Sequence, residues 1–284
     1  VVVLNALVGF PPLAWLVFDF TLPGLQRRDL VWGTLLLLHA GVVAKLLWRS
    51  RPGWRDRALL RASVKRLKPF ILPGISIGIL TPLSSLIVRR TLAEQQDWAM
   101  AGSATAVWRL SDWVFSGASG LLFYYFLPVL SRPIAEGQLA VSMRRMLSQV
   151  WLPSLLILSF MFSLQNWLFP LFYNEHLLVP GLVIALFWLG DGMRVLSSTG
   201  LVGLYALRAG RIIAMGEVLS QPLLALLIVL GAGQSLLLTG AAHLTAYVIY
   251  ASFNWLALLV LARPESFAIQ KKQTPAVSKT AGIH

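Results

Sequence analysis

"VPGLVIALFWLGDGMRVLSSTGLVGLYAL", residues 179–207, decides what kind of molecule this chain is. A helix needs about 20 mostly apolar residues to cross the roughly 30 Å hydrocarbon core of a bilayer. This run meets that length and carries only two charges, Asp191 and Arg194. Seven further runs share its character: 2–20, 30–48, 69–89, 101–130, 150–170, 212–231 and 240–262. None alternates apolar and polar residues as a barrel strand would, so each is expected to be a helix that satisfies its own backbone groups. The expected fold is all-α, a polytopic membrane helix bundle with about eight transmembrane helices.

Composition agrees with that class. The 284 residues are 57% apolar and 12% charged, against about 25% charged for a soluble domain. Mean hydropathy is +0.73. The absence of cysteine excludes disulfide frameworks, thiolate metal sites and cysteine nucleophiles. The four histidines, His39, His176, His243 and His284, lie far apart and lack metal-ligand spacing, so no metal site is expected. There is no Walker loop, dinucleotide fingerprint, paired-carboxylate hydrolase signature or Ser/His/Asp order. No catalytic residue and no cofactor are expected, and the chain does not read as an enzyme. Its first residues, "VVVLNALVGFPPLAWLVF", lack a basic leader and a small-residue cleavage site, so they read as a chain entered mid-protein rather than as a signal peptide.

The basic residues supply an orientation. Segments 45–68, 131–148, 208–211 and 263–284 hold eighteen Lys and Arg, whereas the segments on the other side hold only Arg27, Arg28, Arg89 and Arg90. Cytoplasmic loops carry the excess of positive charge, so loops around 21–29, 90–100, 171–178 and 232–239 are expected to face outward and the tail 263–284 inward. Much of the net charge of +13 is therefore topology. Segment 49–68 is a basic linker or interfacial helix, with Leu60, Val64 and Leu67 on one face. It reads either as a positive-inside loop or as a surface that attracts an anionic lipid. Nucleic acid is not an expected partner, because no recognised binding module is present. The polar tail 263–284 has the composition of a disordered segment.

Inside the runs lies a short list of charges: Arg109 and Asp112, Asp191 and Arg194, and Glu217. Each Arg or Asp at the centre of a spanning helix costs about 2.5–3.5 kcal/mol on insertion scales, so such residues face a bundle interior or a watery cavity. "RLSD" and "DGMR" place opposite charges three apart, where they share a helix face and partly neutralise each other. Two readings follow. The pairs lock helices together, or they line a hydrated cavity where arginines meet an anionic substrate and carboxylates take up protons. Gly74 with Gly78 and Ser116 with Gly120 permit close helix packing. Trp15, Trp32, Trp48, Trp98, Trp151 and Trp167 lie near run ends as an aromatic belt would. Trp108 and Trp113 flank the Arg109–Asp112 pair, placed either to face lipid or to stack on a sugar ring or an arginine.

Three stretches taken in order carry a family resemblance: "PLSSLIVRRTLAEQQ", "WRLSDWVFSGASGLLFYYFLPVLSR" and "NEHLLVPGLVIALFWLGDGMRVLSSTGLVGLYALRAGRIIAMGEVLSQP". Together they resemble Wzx-type polysaccharide flippases, the O-antigen and enterobacterial-common-antigen group of the multidrug/oligosaccharidyl-lipid/polysaccharide exporter superfamily. The likeness runs from about residue 1 to about 262 and is strongest from Leu80 to Pro222. It implies a bacterial cytoplasmic-membrane transporter of roughly twelve helices in two lobes. Residues 1–48 would then be the last two helices of the N-terminal lobe and 69–262 the C-terminal six-helix lobe, with the first four helices lacking.

The implied activity is alternating-access movement of an undecaprenyl-pyrophosphate-linked oligosaccharide to the periplasmic leaflet. Membrane lipids and other polysaccharide-assembly proteins are further candidate partners. The resemblance points to Arg89 or its neighbour Arg90, and to Arg194, as cations for the substrate; related chains can hold Lys at the positions of Arg90 and Arg194. Arg109 joins them on its membrane depth. Asp112, Asp191 and Glu217 are expected to pair with these arginines or couple to protons. A multidrug exporter of the same superfamily, which favours an acidic aromatic cavity, and a non-transporting scaffold for polysaccharide assembly are the rival readings.

Overall fold

The helix of residues 179–207 forms within one residue or two of its expected bounds, and the rest of the bundle is arranged around it. A computed structural model describes residues 57–130, 138–173 and 179–262, with side chains from 71 onward in the first segment and from 139 onward in the second. The expected runs 2–20 and 30–48, residues 49–56 and the tail 263–284 lie outside the described residues. So do the side chains of Leu60, Val64 and Leu67, and His39, His176 and His284. The chain divides between Leu67 and Lys68 into two units, and the architecture below is that of the second.

Helix α1 covers Arg57–Gln95. Helix α2 begins as Trp98–Leu121, passes through a π-helical turn at Leu122–Phe126 and continues to Leu130. Helix α3 begins as Gln138–Met146, passes through a second π turn at Leu147–Trp151 and continues as Leu152–Ser163. Both π turns precede a proline, Pro128 and Pro153. A proline removes one helical N–H and crowds the carbonyl four residues earlier, and the wider turn absorbs that clash. Helices α4 (Gln165–Phe172), α5 (Gly181–Ala206), α6 (Gly210–Val218), α7 (Gln221–Val229) and α8 (Leu236–Leu261) follow.

Among the described residues there is no strand, and six helical stretches are long and apolar enough to cross a membrane: Ile71–Gln95, Trp98–Leu130, Leu139–Ser163, Gly181–Ala206, Gly210–Val229 and Leu236–Leu261. The protein is thus an all-helical membrane-type bundle, and these six correspond to the last six of the eight expected runs. The boundaries differ in two places. The loop expected at 90–100 shrinks to Gln96 and Asp97, because Asp97 caps α2 by accepting from the Met100 N–H at 2.6 Å. The run expected at 150–170 slides back to Leu139–Ser163, since Leu164 breaks the helix and Arg144 and Arg145 are accommodated in its basic first turns.

Helix α5 is the centre of the bundle. It packs most extensively on α8 and next on α2. Apolar side chains collect in two clusters. One contains Val107, Leu110, Ile184, Phe187, Ile228 and Ala246, the other Leu122, Met146, Val202, Leu204, Ile213 and Leu258. Between the two, every helix that contributes to both carries polar groups. The large exposed residues on the outer faces, including Leu156, Phe160, Leu256 and Leu259, are apolar, as a lipid-facing exterior requires.

The small-residue pairs expected to bring helices together do not do so among the described residues. A Cβ on Gly74 or Gly78 would meet nothing within 4 Å. Close approach occurs instead at Gly190, where a Cβ would collide with the His243 ring and lie 3.2 Å from the Leu244 Cα.

Candidate functional site

The polar layer between the two apolar clusters begins on α2 and α5. Asp191 is 1% exposed and sits about 15 Å from the start of α5 at 1.5 Å per residue. Its Oδ2 accepts from the Ser111 hydroxyl at 2.5 Å. Its Oδ1 lies 3.5 Å from Arg194 Nη1 and 3.3 Å from His243 Nε2, within ion-pairing range but without a well-formed hydrogen bond. Arg194 Nη1 makes its short bond, 2.6 Å, to Asp112 Oδ1 across the α2–α5 interface. The guanidinium lies 3.6 Å from the Phe115 ring centroid, a cation–π contact that favours a planar Arg.

The i,i+3 expectation therefore divides. Asp191 and Arg194 are neighbours on one helix face as expected. Arg109 and Asp112 are not a pair. Asp112 is drawn to Arg194 on the facing helix at 2.6 Å, which neutralises it, and Arg109 is left exposed.

On α8 the layer continues with His243, Tyr247, Tyr250 and Asn254, all buried. Trp108 meets the His243 ring edge-on at 4.9 Å, so Trp108 turns inward. Trp113 is exposed and packs on Phe172. Tyr247 accepts from Gln221 Nε2 at 2.8 Å, and the Asn254 amide donates to the Ser197 hydroxyl at 2.7 Å. Glu217 is 7% exposed and accepts from the Tyr250 hydroxyl at 2.8 Å. Glu217 lies one residue before the end of α6, where the chain breaks at Leu219 and Ser220 and restarts at Gln221 with Pro222. That break opens backbone at the depth of the polar layer, a place where irregular backbone is tolerated only against polar surroundings. Trp151, expected in an interfacial belt, sits inside α3 and donates to the Gly192 carbonyl at 3.1 Å.

The four candidate substrate cations go to three places. Arg194 is in the layer just described. Arg90 pairs with Glu94 at 2.7 Å on an exposed face of α1. Arg89 and Arg109, one from α1 and one from α2, line a single open cleft of about 660 Å³ together with Trp98, Ser103, Thr105 and Tyr173. Neither has an acidic partner within 4.0 Å among the described residues. Arg109 lies eleven residues into α2, about 16 Å from its start, so the cleft reaches from the Trp98 end of the bundle toward the polar layer. Tyr173 donates to the Ala106 carbonyl at 3.3 Å. Burial pushes its phenol up from the ordinary value, with Arg109 opposing, so at neutral pH it remains a hydroxyl.

The residues that sequence reasoning missed are His243, Tyr250, Gln221 and Asn254. His243 falls in an apolar run and is ionisable, the same signal that singled out Asp191. The others carry no charge, and only packing reveals them. Among the described residues no group of three His, Cys, Asp or Glu could hold a metal ion. Comparison with protein-family models, curated proteins and solved structures returns no match to this chain.

Proposed function

We propose that this chain is part of a Wzx-type flippase that moves an undecaprenyl-pyrophosphate-linked oligosaccharide across the bacterial cytoplasmic membrane. Two arginines without acidic partners among the described residues, in an open cleft that runs from the Trp98 end of α2 inward to Arg109, carry this reading. A pyrophosphate is dianionic or more, and forked guanidinium donors bind it by short charge-assisted bonds. Unpaired cations at that depth would repel a cationic drug, which sets the reading against multidrug export. They are also wasteful in a scaffold, where every intramembrane charge is a cost with no return.

In this reading the basic tail 263–284 is cytoplasmic and the cleft opens at its Trp98 end to the periplasmic side. Arg89 and Arg109 hold the pyrophosphate, Tyr173 and Trp98 border the path of the first sugars, and Arg194 with Asp112 and Asp191 links the helices that move. The family resemblance of the stretch Leu80 to Pro222 supports the same assignment.

The test is complementation. The full gene that encodes this chain is expressed in a strain lacking its lipid-linked-oligosaccharide flippase, and surface glycan is measured. Restored glycan, lost again on R89Q/R109Q with membrane insertion intact, is the expected result. Insertion without restored glycan for any of several repeat units would overturn the reading.

A further inference from the structure

The Asp112–Asp191 part of the polar layer has one cation too few, Glu217 standing apart on Tyr250. Arg194 serves two carboxylates, Asp112 and Asp191. Asp191 is 1% exposed, and a net charge left in such a place is costly. The group that can close the count is His243, which has no exposed surface. Neither of its ring nitrogens makes a hydrogen bond, and neither does Asp191 Oδ1. Two of these three unsatisfied atoms, His243 Nε2 and Asp191 Oδ1, face each other at 3.3 Å.

We propose that His243 and Asp191 form a binding site for one proton, whose occupancy decides which carboxylate holds Arg194. With the proton on His243, the imidazolium neutralises Asp191 and Arg194 is free to bridge α5 to α2 through Asp112. Without it, Asp191 draws Arg194 from 3.5 Å into a full hydrogen bond. The bridge to α2 is then released, and Asp112, whose side chain is 46% exposed, turns away from α5. The proton exchanges with the medium by way of the half-exposed Asp112 side, and the cluster of Asp112, Asp191, Arg194 and His243 is neutral with it and carries one negative charge without it.

The surroundings leave few competitors. The charged or titratable groups facing His243 are Asp112 on α2, Asp191 and Arg194 on α5, and Tyr247 on α8. On α7, Gln221 is neutral and bonded to Tyr247. On α6, Glu217 is turned to Tyr250. The ring is held by Trp108 and Phe187, and Gly190 leaves the space its edge occupies. Nothing here depends on the nature of the transported molecule.

The experiment uses the full-length protein in lipid nanodiscs with every histidine other than His243 replaced by Gln, His39, His176 and His284 among them. Nitrogen-15 spectra of histidine and arginine side chains are recorded across the pH range over which the protein stays folded. The expected result is a one-proton conversion of the His243 ring between charged and neutral forms. The Arg194 signals, identified by their loss in R194K, should change at the same pH. D191N, or D112N at its half-exposed position, should remove the Arg194 response. A ring that stays in one form throughout, or Arg194 signals that ignore it, would overturn the proposal. Because no transport is read, either outcome stands apart from the success or failure of the flippase assignment.

Discussion

Arg194 holds Asp112 across the α2–α5 interface at 2.6 Å while Asp191, three residues before it on its own helix, stays at 3.5 Å. The inter-helix bond is the shorter one, so the arginine is a tie between helices as well as a local counter-ion. Replacing it strands a carboxylate that is 1% exposed. Breaking a buried pair by removing one partner costs about 3–5 kcal/mol, and R194Q should lose about that much. D112N removes a carboxylate whose side chain is 46% exposed and leaves Arg194 with Asp191 as its counter-ion, so it should cost less. Unfolding in mixed detergent micelles measures both, and equal losses would contradict this ranking.

Gly190 and His243 form a second coupled pair. A methyl at position 190 would occupy the edge of the imidazole and press on the Leu244 backbone. Overpacking of this kind costs about 1–3 kcal/mol. Residues in contact are non-additive, so G190A/H243A should be less destabilised than the sum of G190A and H243A. A double-mutant cycle on unfolding free energies checks this, with simple additivity as the opposing result.

Glu217 acts as an acceptor for Tyr250 rather than as the partner of an arginine. E217Q keeps an acceptor oxygen and should stay close to the unsubstituted protein in stability. E217A leaves a buried hydroxyl unsatisfied, a loss of about 1–3 kcal/mol. Comparing the two in the same unfolding assay separates the hydrogen bond from the charge.

Span positions were legible in the sequence because length and hydropathy alone decide them, and all six runs from 69 onward appear as helices. Boundaries were less so. The run beginning at Leu139 contains Arg144 and Arg145, which the reading by apolar runs left out although the helix accommodates them in its first turns. For the polar layer, spacing placed Asp191 and Arg194 together, since both lie on one helix. It failed for Arg109 and Asp112, because a neighbour on the same helix says nothing of a stronger partner on the next one. Arg89 and Arg109 lie on different helices and share a cleft only because α1 and α2 both border it. His243 was passed over because its spacing was tested for metal ligands rather than its depth for charge balance.

Arg89 and Arg90 are adjacent in sequence but differ in setting. Arg90 is engaged by Glu94 on an exposed face, where such a pair contributes little. R90Q should therefore leave both stability and substrate handling near their original levels. R89Q and R109Q should each weaken binding of a pyrophosphate lipid about 10- to 100-fold, the loss of one charge-assisted bond at about 1.5–3 kcal/mol. Binding of a fluorescent prenyl pyrophosphate to the purified protein in nanodiscs distinguishes the three.

The most direct measurement reconstitutes the full-length protein in vesicles with a prenyl-pyrophosphate-linked oligosaccharide and follows the glycan from one leaflet to the other. Movement that is present with R90Q and lost with R89Q/R109Q is the result this account predicts. No movement in a correctly inserted protein, or movement indifferent to R89Q/R109Q, would contradict it.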